Sequence, residues 1–145
     1  MLGFPYNCFK SIFIRGFVLE KLTASLEDYL EVICNYTNEN KIVRAIDISK
    51  ELKVSRASVT EALKKLSAKG YVNYGRYDTL SLTETGKTLA QNIVSKHNCL
   101  QKFFEEILGL QTEEASLNAC KIEHVITENA FNKILDLVNA QKDKI

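Results

Sequence analysis

Apolar residues recur at helical spacing from residue 26 onward, and the breaks between runs divide the chain into short elements. Ser25, followed by Glu27 and Asp28, predicts a helix start, with a hydroxyl to cap the first amides and carboxylates near the positive end of the dipole. Leu26, Tyr29, Leu30 and Ile33 fall at i, i+3, i+4 and i+7, so one stripe faces a core until the polar turn Thr37-Asn38-Glu39-Asn40. From Arg44 to Gly70 the pattern predicts a short helix over Ala45 to Leu52 and a tight connection through Lys53 and Val54. A second helix follows from Ser55 to about Lys69, with Gly70 as its C-cap. The spacing of Ile48, Leu52, Val54, Val59, Leu63 and Leu66 fits a helix-turn-helix whose outward face carries Ser55, Arg56, Ser58, Thr60, Glu61 and Lys64. Tyr71 to Tyr74 and Leu80 to Leu82 flank a turn through Gly75, Arg76, Tyr77 and Asp78, which reads as a hairpin. Behind a helix-turn-helix such a hairpin is a wing, with Arg76 and Tyr77 near a tip that can touch phosphates or a minor groove.

Thr83-Glu84-Thr85-Gly86 caps a helix with no breaker until Gly109, a run of about 25 residues. Thr112 opens another helix, with Glu113 and Glu114 in its first turn. Thr127 and Glu128 open the last, apolar at Ala130, Phe131, Ile134, Leu135 and Val138. Three helices with apolar faces behind a small DNA-binding module predict a dimerisation domain. The expected fold is mainly α: residues 25–84 a winged helix-turn-helix, residues 85–145 a helical metal-binding and dimerisation domain. Residues 1–24 are apolar and aromatic without a clear period and read as an extension. One reading of them is a mis-assigned start, with translation beginning on a non-AUG codon at Val18 or Leu19, which the intact mass of the native protein tests.

At 145 residues, 46% hydrophobic and 26% charged, with one Pro and six Gly, the chain is neither a large multidomain enzyme nor disordered or collagenous. The net charge of +1 hides an uneven distribution. Residues 1–40 carry three Lys/Arg against five Asp/Glu, residues 41–87 ten against five, and residues 88–145 six against eight. A middle segment at +5 between two at −2 points to a polyanion partner for the middle. Cys8, Cys34, Cys99 and Cys120 form no C-x-x-C pair, so reduced thiols in a cytoplasmic protein are expected. The apolar stretch Ser11 to Leu19 is broken by Arg15 and lacks a small-residue cleavage site, and no run reaches the roughly 18 to 20 apolar residues of a membrane span.

The sharpest chemical signal is Cys120-x-x-Glu123-His124, since i, i+3 and i+4 share a helix face and would bring thiolate, carboxylate and imidazole to one point. The bland alternative is a buried Cys, a surface Glu and a half-buried His that meet by chance. Asp28 and Glu31 form a second i, i+3 pair, which taken alone reads first as helix-start charge on a solvated face. His97 sits among Val94, Leu100 and Phe104, where a lone histidine is ordinarily a satisfied core residue.

Taken in order, Ser-Leu-Glu-Asp-Tyr-Leu-Glu at residues 25–31, the module Asp47-Ile48 through Val59-Thr60, the wing leading into Leu82-Thr83-x-x-Gly86, His97, and Cys120-x-x-Glu123-His124 resemble the diphtheria toxin repressor and manganese transport regulator family over roughly residues 22–140. The resemblance implies a homodimeric winged-helix repressor that binds double-stranded operator DNA when loaded with Mn(II) or Fe(II). It places Asp28, Glu31, His97, Glu123 and His124 at ligand positions of the manganese-type branch. Cys120 departs from that branch, which has Glu there, and agrees with the iron-type branch, which in turn has Met where this chain has Asp28. Gln101 and Ser116 replace two positions of the ancillary iron-type site, and the length matches the short, two-domain form. The ligand set is a hybrid: carboxylates suit hard Mn(II), whereas a thiolate favours Fe(II), or Co(II) and Zn(II) in vitro.

The implied mechanism has a cation relieve repulsion among Asp28, Glu31, Glu123 and Cys120 and so fix the DNA-binding module at the angle that lets two recognition helices enter grooves about 34 Å apart. Ser55, Arg56, Ser58 and Thr60 are the expected base or phosphate contacts, with Lys64 and Arg76 on the backbone. Two other readings compete. One is a winged-helix regulator that senses oxidants or a small ligand through Cys99 or Cys120 without a metal; the other is a small metalloenzyme or metal store, which leaves the basic module unexplained.

Overall fold

A computed structural model describes residues 22–144. The reading of an N-terminal extension therefore lies, up to residue 21, outside the described residues. Leu22 is already buried, and Ala24 opens the first helix. The backbone forms two compact units that divide after Asn92.

In the first unit, α1 (Ala24–Asn38) begins one residue before Ser25, the expected cap. Thr23 holds the extended conformation a cap requires, and its hydroxyl oxygen accepts from the Leu26 amide at 3.3 Å. Ser25 is left exposed in the first turn. Both residues are competent caps by type, and the buried Leu22 immediately before Thr23 fixes where the chain turns in. Thr23→Ala is expected to cost about 1 kcal/mol in denaturant titration, and Ser25→Ala no more than about 0.5 kcal/mol; the reverse order would return the cap to Ser25.

α2 (Ala45–Leu52) and α3 (Arg56–Ala68) pack on each other and on α1. At the start of α2 the Asp47 carboxylate accepts from the Arg44 amide at 2.9 Å. The connection is tight because Lys53 takes a left-handed conformation, φ 54°. The Val54 amide then reaches Ser49 O at 3.1 Å, while the Ser49 hydroxyl donates to Val54 O at 2.7 Å. Ile48, Val59, Leu63 and Leu66 are fully buried, as their spacing predicts. α3 ends through Lys69 into Gly70 at φ +80°, where a Cβ would be strained. β1 (Val72–Tyr74) pairs antiparallel with β2 (Leu80–Leu82) in the register Val72↔Leu82, Asn73↔Ser81, Tyr74↔Leu80, closing the expected wing.

α4 (Glu84–Lys102) is opened by Thr83, whose hydroxyl oxygen accepts from the Gly86 amide at 3.0 Å. The second unit starts within α4. A π-helical turn, Phe103–Ile107, extends it before Gly109 at φ +71° ends the run. α5 (Thr112–Ile122) and α6 (Glu128–Lys142) pack on that turn, and Thr127 caps α6 through the Ala130 amide at 3.3 Å. Cys99, Leu100, Ala119, Phe131 and Val138 form the core of this unit, with Phe103, Ile122, Ile126, Ile134 and Leu135 packed around it. Ala130, expected on the apolar face, is exposed: it neighbours Phe131 in the chain, so it lies about 100° away around the helix. The fold is mainly α, a winged helix-turn-helix followed by helices. No described helix is long and apolar enough to cross a membrane.

Candidate metal centre and nucleic-acid interface

The outward side of α3 belongs to the first unit. Ser55, Arg56, Ser58 and Lys64 are exposed and Thr60 is half-buried. Three hydroxyls on this face have local work: Ser55 Oγ accepts from the Ser58 amide at 3.1 Å and shares a 2.9 Å hydrogen bond with Ser58 Oγ, and Thr60 Oγ1 donates to Arg56 O at 3.0 Å. The guanidinium of Arg56 and the ammonium of Lys64 are therefore the strong donors here, the first suited to bidentate and the second to point contact with phosphates. Arg76 is exposed at the wing. Asp28 and Glu31 lie one turn apart on α1, each half-buried. Tyr29 between them has its phenol pushed above the ordinary range, first by burial and then by the negative charge of Asp28.

The second unit brings His97, Cys120 and Glu123 together: one ligand atom from each lies within 4.8 Å of the others. His97 projects from α4 with Nδ1 2.8 Å from Glu123 Oε2 and 3.7 Å from Cys120 Sγ. A carboxylate only accepts, so this hydrogen bond with an ionised Glu123 requires the tautomer that carries its proton on Nδ1. Ser116 Oγ stands 3.5 Å from the other ring nitrogen. The resemblance marked Ser116 only as a departure, although its spacing of four from Cys120 puts both on one face of α5.

Two details of this motif differ from the sequence pattern. α5 ends at Ile122 with Glu123 as its C-cap, still αR and with its amide on Ala119 O at 3.0 Å, so Cys120 and Glu123 keep one helical face, while His124 lies in the following turn. The chance-meeting picture of a buried Cys and a surface Glu is reversed, with Cys120 exposed and Glu123 only 3% exposed. His97 is 8% exposed and its hydrogen bond runs to another buried ionisable group.

Glu123 Oε1 is buried and accepts no hydrogen bond, although His124 Nε2 lies 3.3 Å away, within ion-pair distance. Leaving a buried carboxylate oxygen unsatisfied is costly, and a cation is the partner that removes the cost without a donor of its own. Imidazole, thiol and carboxylate are together a donor set for a first-row transition ion and unlike the all-oxygen shells of Ca(II) or Mg(II). The residues present therefore fit a divalent metal. Cys99, the other candidate sensing thiol, is buried at 2% exposure, and burial pushes its pKa to about 11. At neutral pH it stays a protonated, inert thiol.

Residues 21–80 match the family described as iron dependent repressor, N-terminal DNA binding domain, and residues 83–143 match iron dependent repressor, metal binding and dimerisation domain. An uncharacterised HTH-type transcriptional regulator of Methanocaldococcus jannaschii is 36% identical over 125 residues, which cover 86% of this chain and 100% of that relative. The HTH-type transcriptional regulator MntR of Oceanobacillus iheyensis is 36% identical over 121 residues, 83% of this chain and 82% of that one. Among solved structures, the manganese regulator SloR has a TM-score of 0.70 at 24% identity, covering 81% of this chain and 55% of that one, a likeness of fold. The chain thus spans about half the length of that structure.

Proposed function

Since this chain belongs to the iron-dependent repressor family, we propose that it silences metal-uptake genes in the cytoplasm, loaded with Mn(II) or Fe(II). It is a metal-dependent, DNA-binding transcriptional regulator rather than an enzyme, acting on operator DNA as a homodimer. The proposed domains are residues 25–84 for DNA and 85–145 for metal and dimerisation. The proposed ligands are His97, Cys120, Glu123 and His124, with Asp28 and Glu31 assigned from sequence resemblance. The proposed DNA contacts are Ser55, Arg56, Ser58, Thr60, Lys64 and Arg76.

The observation that carries the reading is the buried Glu123 oxygen without a hydrogen-bond partner, held beside His97 and Cys120. When bound, a divalent ion supplies positive charge there. The chain's own residues do the rest: His97 orients Glu123, and Cys120 brings its sulfur to 3.7 Å from His97 Nδ1. The name of the manganese regulator SloR, a structure of like fold, brings manganese, and the Cys120 thiol brings iron.

The test is anaerobic binding of upstream DNA from its own gene with Mn(II), Fe(II), Zn(II) or a chelator. Metal is expected to tighten binding roughly 5- to 150-fold, and Cys120→Ser to weaken the response to Fe(II) and Zn(II) more than that to Mn(II). Equal binding under chelation would overturn the metal dependence and return the case to a ligand or thiol sensor.

A further inference from the structure

His97 has two ring nitrogens, and residues at the two ends of one stretch of α5 meet both of them. Nδ1 lies 2.8 Å from Glu123 Oε2 and 3.7 Å from Cys120 Sγ, so it is the nitrogen that faces the cluster. Nε2, across the ring, has Ser116 Oγ at 3.5 Å, the long end of hydrogen-bond range. Ser116 is half-buried, one helical turn before Cys120, and His97 itself is buried. The ring is therefore held mainly by protein groups.

A neutral imidazole carries one proton, and its partners decide where. In the hydrogen bond to an ionised Glu123 the proton is on Nδ1, Nε2 holds the lone pair, and the Ser116 hydroxyl donates to it. For Nδ1 to serve as a ligand it must hold the lone pair itself, so the proton belongs on Nε2 and Ser116 Oγ must accept. The ring stays neutral in both forms: one proton leaves Nδ1 for water, and one from water arrives at Nε2. A hydroxyl suits both forms, because it donates or accepts by turning about its C–O bond; a carboxylate only accepts and an ammonium only donates.

We infer that Ser116 is a positioning residue of the metal centre, its hydroxyl holding the Nε2 side of His97 in either tautomer so that Nδ1 can coordinate. The inference rests on the metal-dependent reading above. It gives a task to one of the two residues that depart from the ancillary iron-type site.

The test measures Zn(II) and Mn(II) binding by the full chain against a competing chromophoric chelator. Ser116→Ala is expected to weaken both about 10- to 100-fold, and Ser116→Thr, which keeps the hydroxyl, to restore most of the loss. The thermal midpoint of Ser116→Ala in chelator is expected to stay level, since Ala is the better helix former. Long-range proton–nitrogen spectra of the 15N-labelled chain, which holds only two histidines, read the tautomer directly. The His97 proton is expected on Nδ1 without metal and on Nε2 with Zn(II), where it exchanges with water faster in Ser116→Ala. Equal metal affinity in Ser116→Ala, a loss that Ser116→Thr does not restore, or a Zn(II)-loaded His97 still protonated at Nδ1 would overturn the role of Ser116 and leave the metal reading standing. A wild-type chain that takes up neither ion would overturn that reading, and this one with it.

Discussion

Glu123→Gln is expected to abolish the metal response while leaving the fold in place. The amide keeps the volume of the carboxylate, and its oxygen still accepts from His97 Nδ1, now 2.8 Å from Glu123 Oε2, so the link between α4 and the end of α5 survives. What disappears is the negative charge, including that on the buried oxygen without a hydrogen bond. A neutral amide is a poor ligand for a first-row divalent ion, so the proposed site loses its most buried donor. The gain in operator affinity on adding metal, roughly 5- to 150-fold for a coupling of 1 to 3 kcal/mol, should fall to near unity. Fluorescence anisotropy with and without chelator reads this directly, and an unchanged thermal midpoint in chelator shows that the fold was spared. Glu123→Ala is a poorer probe, because it strips the buried His97 of its partner and adds a stability loss of about 1 to 3 kcal/mol. A full metal response in Glu123→Gln would remove Glu123 from the ligand set.

Gly86→Ala is expected to be the most damaging single-methyl change in the first unit. Helix propensity alone favours Ala over Gly by about 1 kcal/mol in a helix interior. Here sterics overrule it. A Cβ at Gly86 would stand 1.8 Å from Tyr71 O, 2.7 Å from Tyr71 C and 3.0 Å from Tyr71 Cα. All three are backbone atoms, so no rotamer change relieves the clash. The start of α4 would have to lift away from the base of the wing. That movement strains three hydrogen bonds: Gly86 N to Thr83 Oγ1 at 3.0 Å, Thr83 N to Tyr71 O at 3.1 Å and Thr83 Oγ1 to Gly70 O at 2.6 Å. A loss of about 3 kcal/mol or more follows, at the upper end of overpacking costs, and it should lower the thermal midpoint by roughly 10 °C. Thr85→Ala, at an exposed neighbouring position, should change little by comparison. If both variants melt together, α4 does not approach Tyr71 this closely.

The helix-turn-helix was legible because its signals are local. Ile48, Val59, Leu63 and Leu66 repeat at helical spacing, Ser55 caps α3, and Gly70 ends it, all within a few residues of the positions they act on. Caps of equal chemical type are a different matter. Thr23 and Ser25 are indistinguishable as oxygens, and the choice between them depends on where Leu22 is buried. The same divide runs through the candidate site. Cys120, Glu123 and His124 announced themselves by spacing, and the resemblance added His97, Asp28 and Glu31.

Spacing could not say that α5 stops at Ile122, that Glu123 and not Cys120 is the buried member, or that Glu123 is bonded to a histidine 26 residues away in the chain. Burial and long-range pairing are outcomes of packing whole elements against each other, and no window of adjacent residues contains them. Gly86 and Tyr77 follow the same logic. The chain named a glycine after a cap and an aromatic in a turn, while the approach of Tyr71 O and the left-handed backbone arise only when α4 meets the wing and the hairpin closes. Periodicity, caps and turn residues act over one or two helical turns and are written in the amino-acid order. The environment of a buried carboxylate or a crowded glycine is set by atoms distant in the chain, and it exists only in the folded molecule.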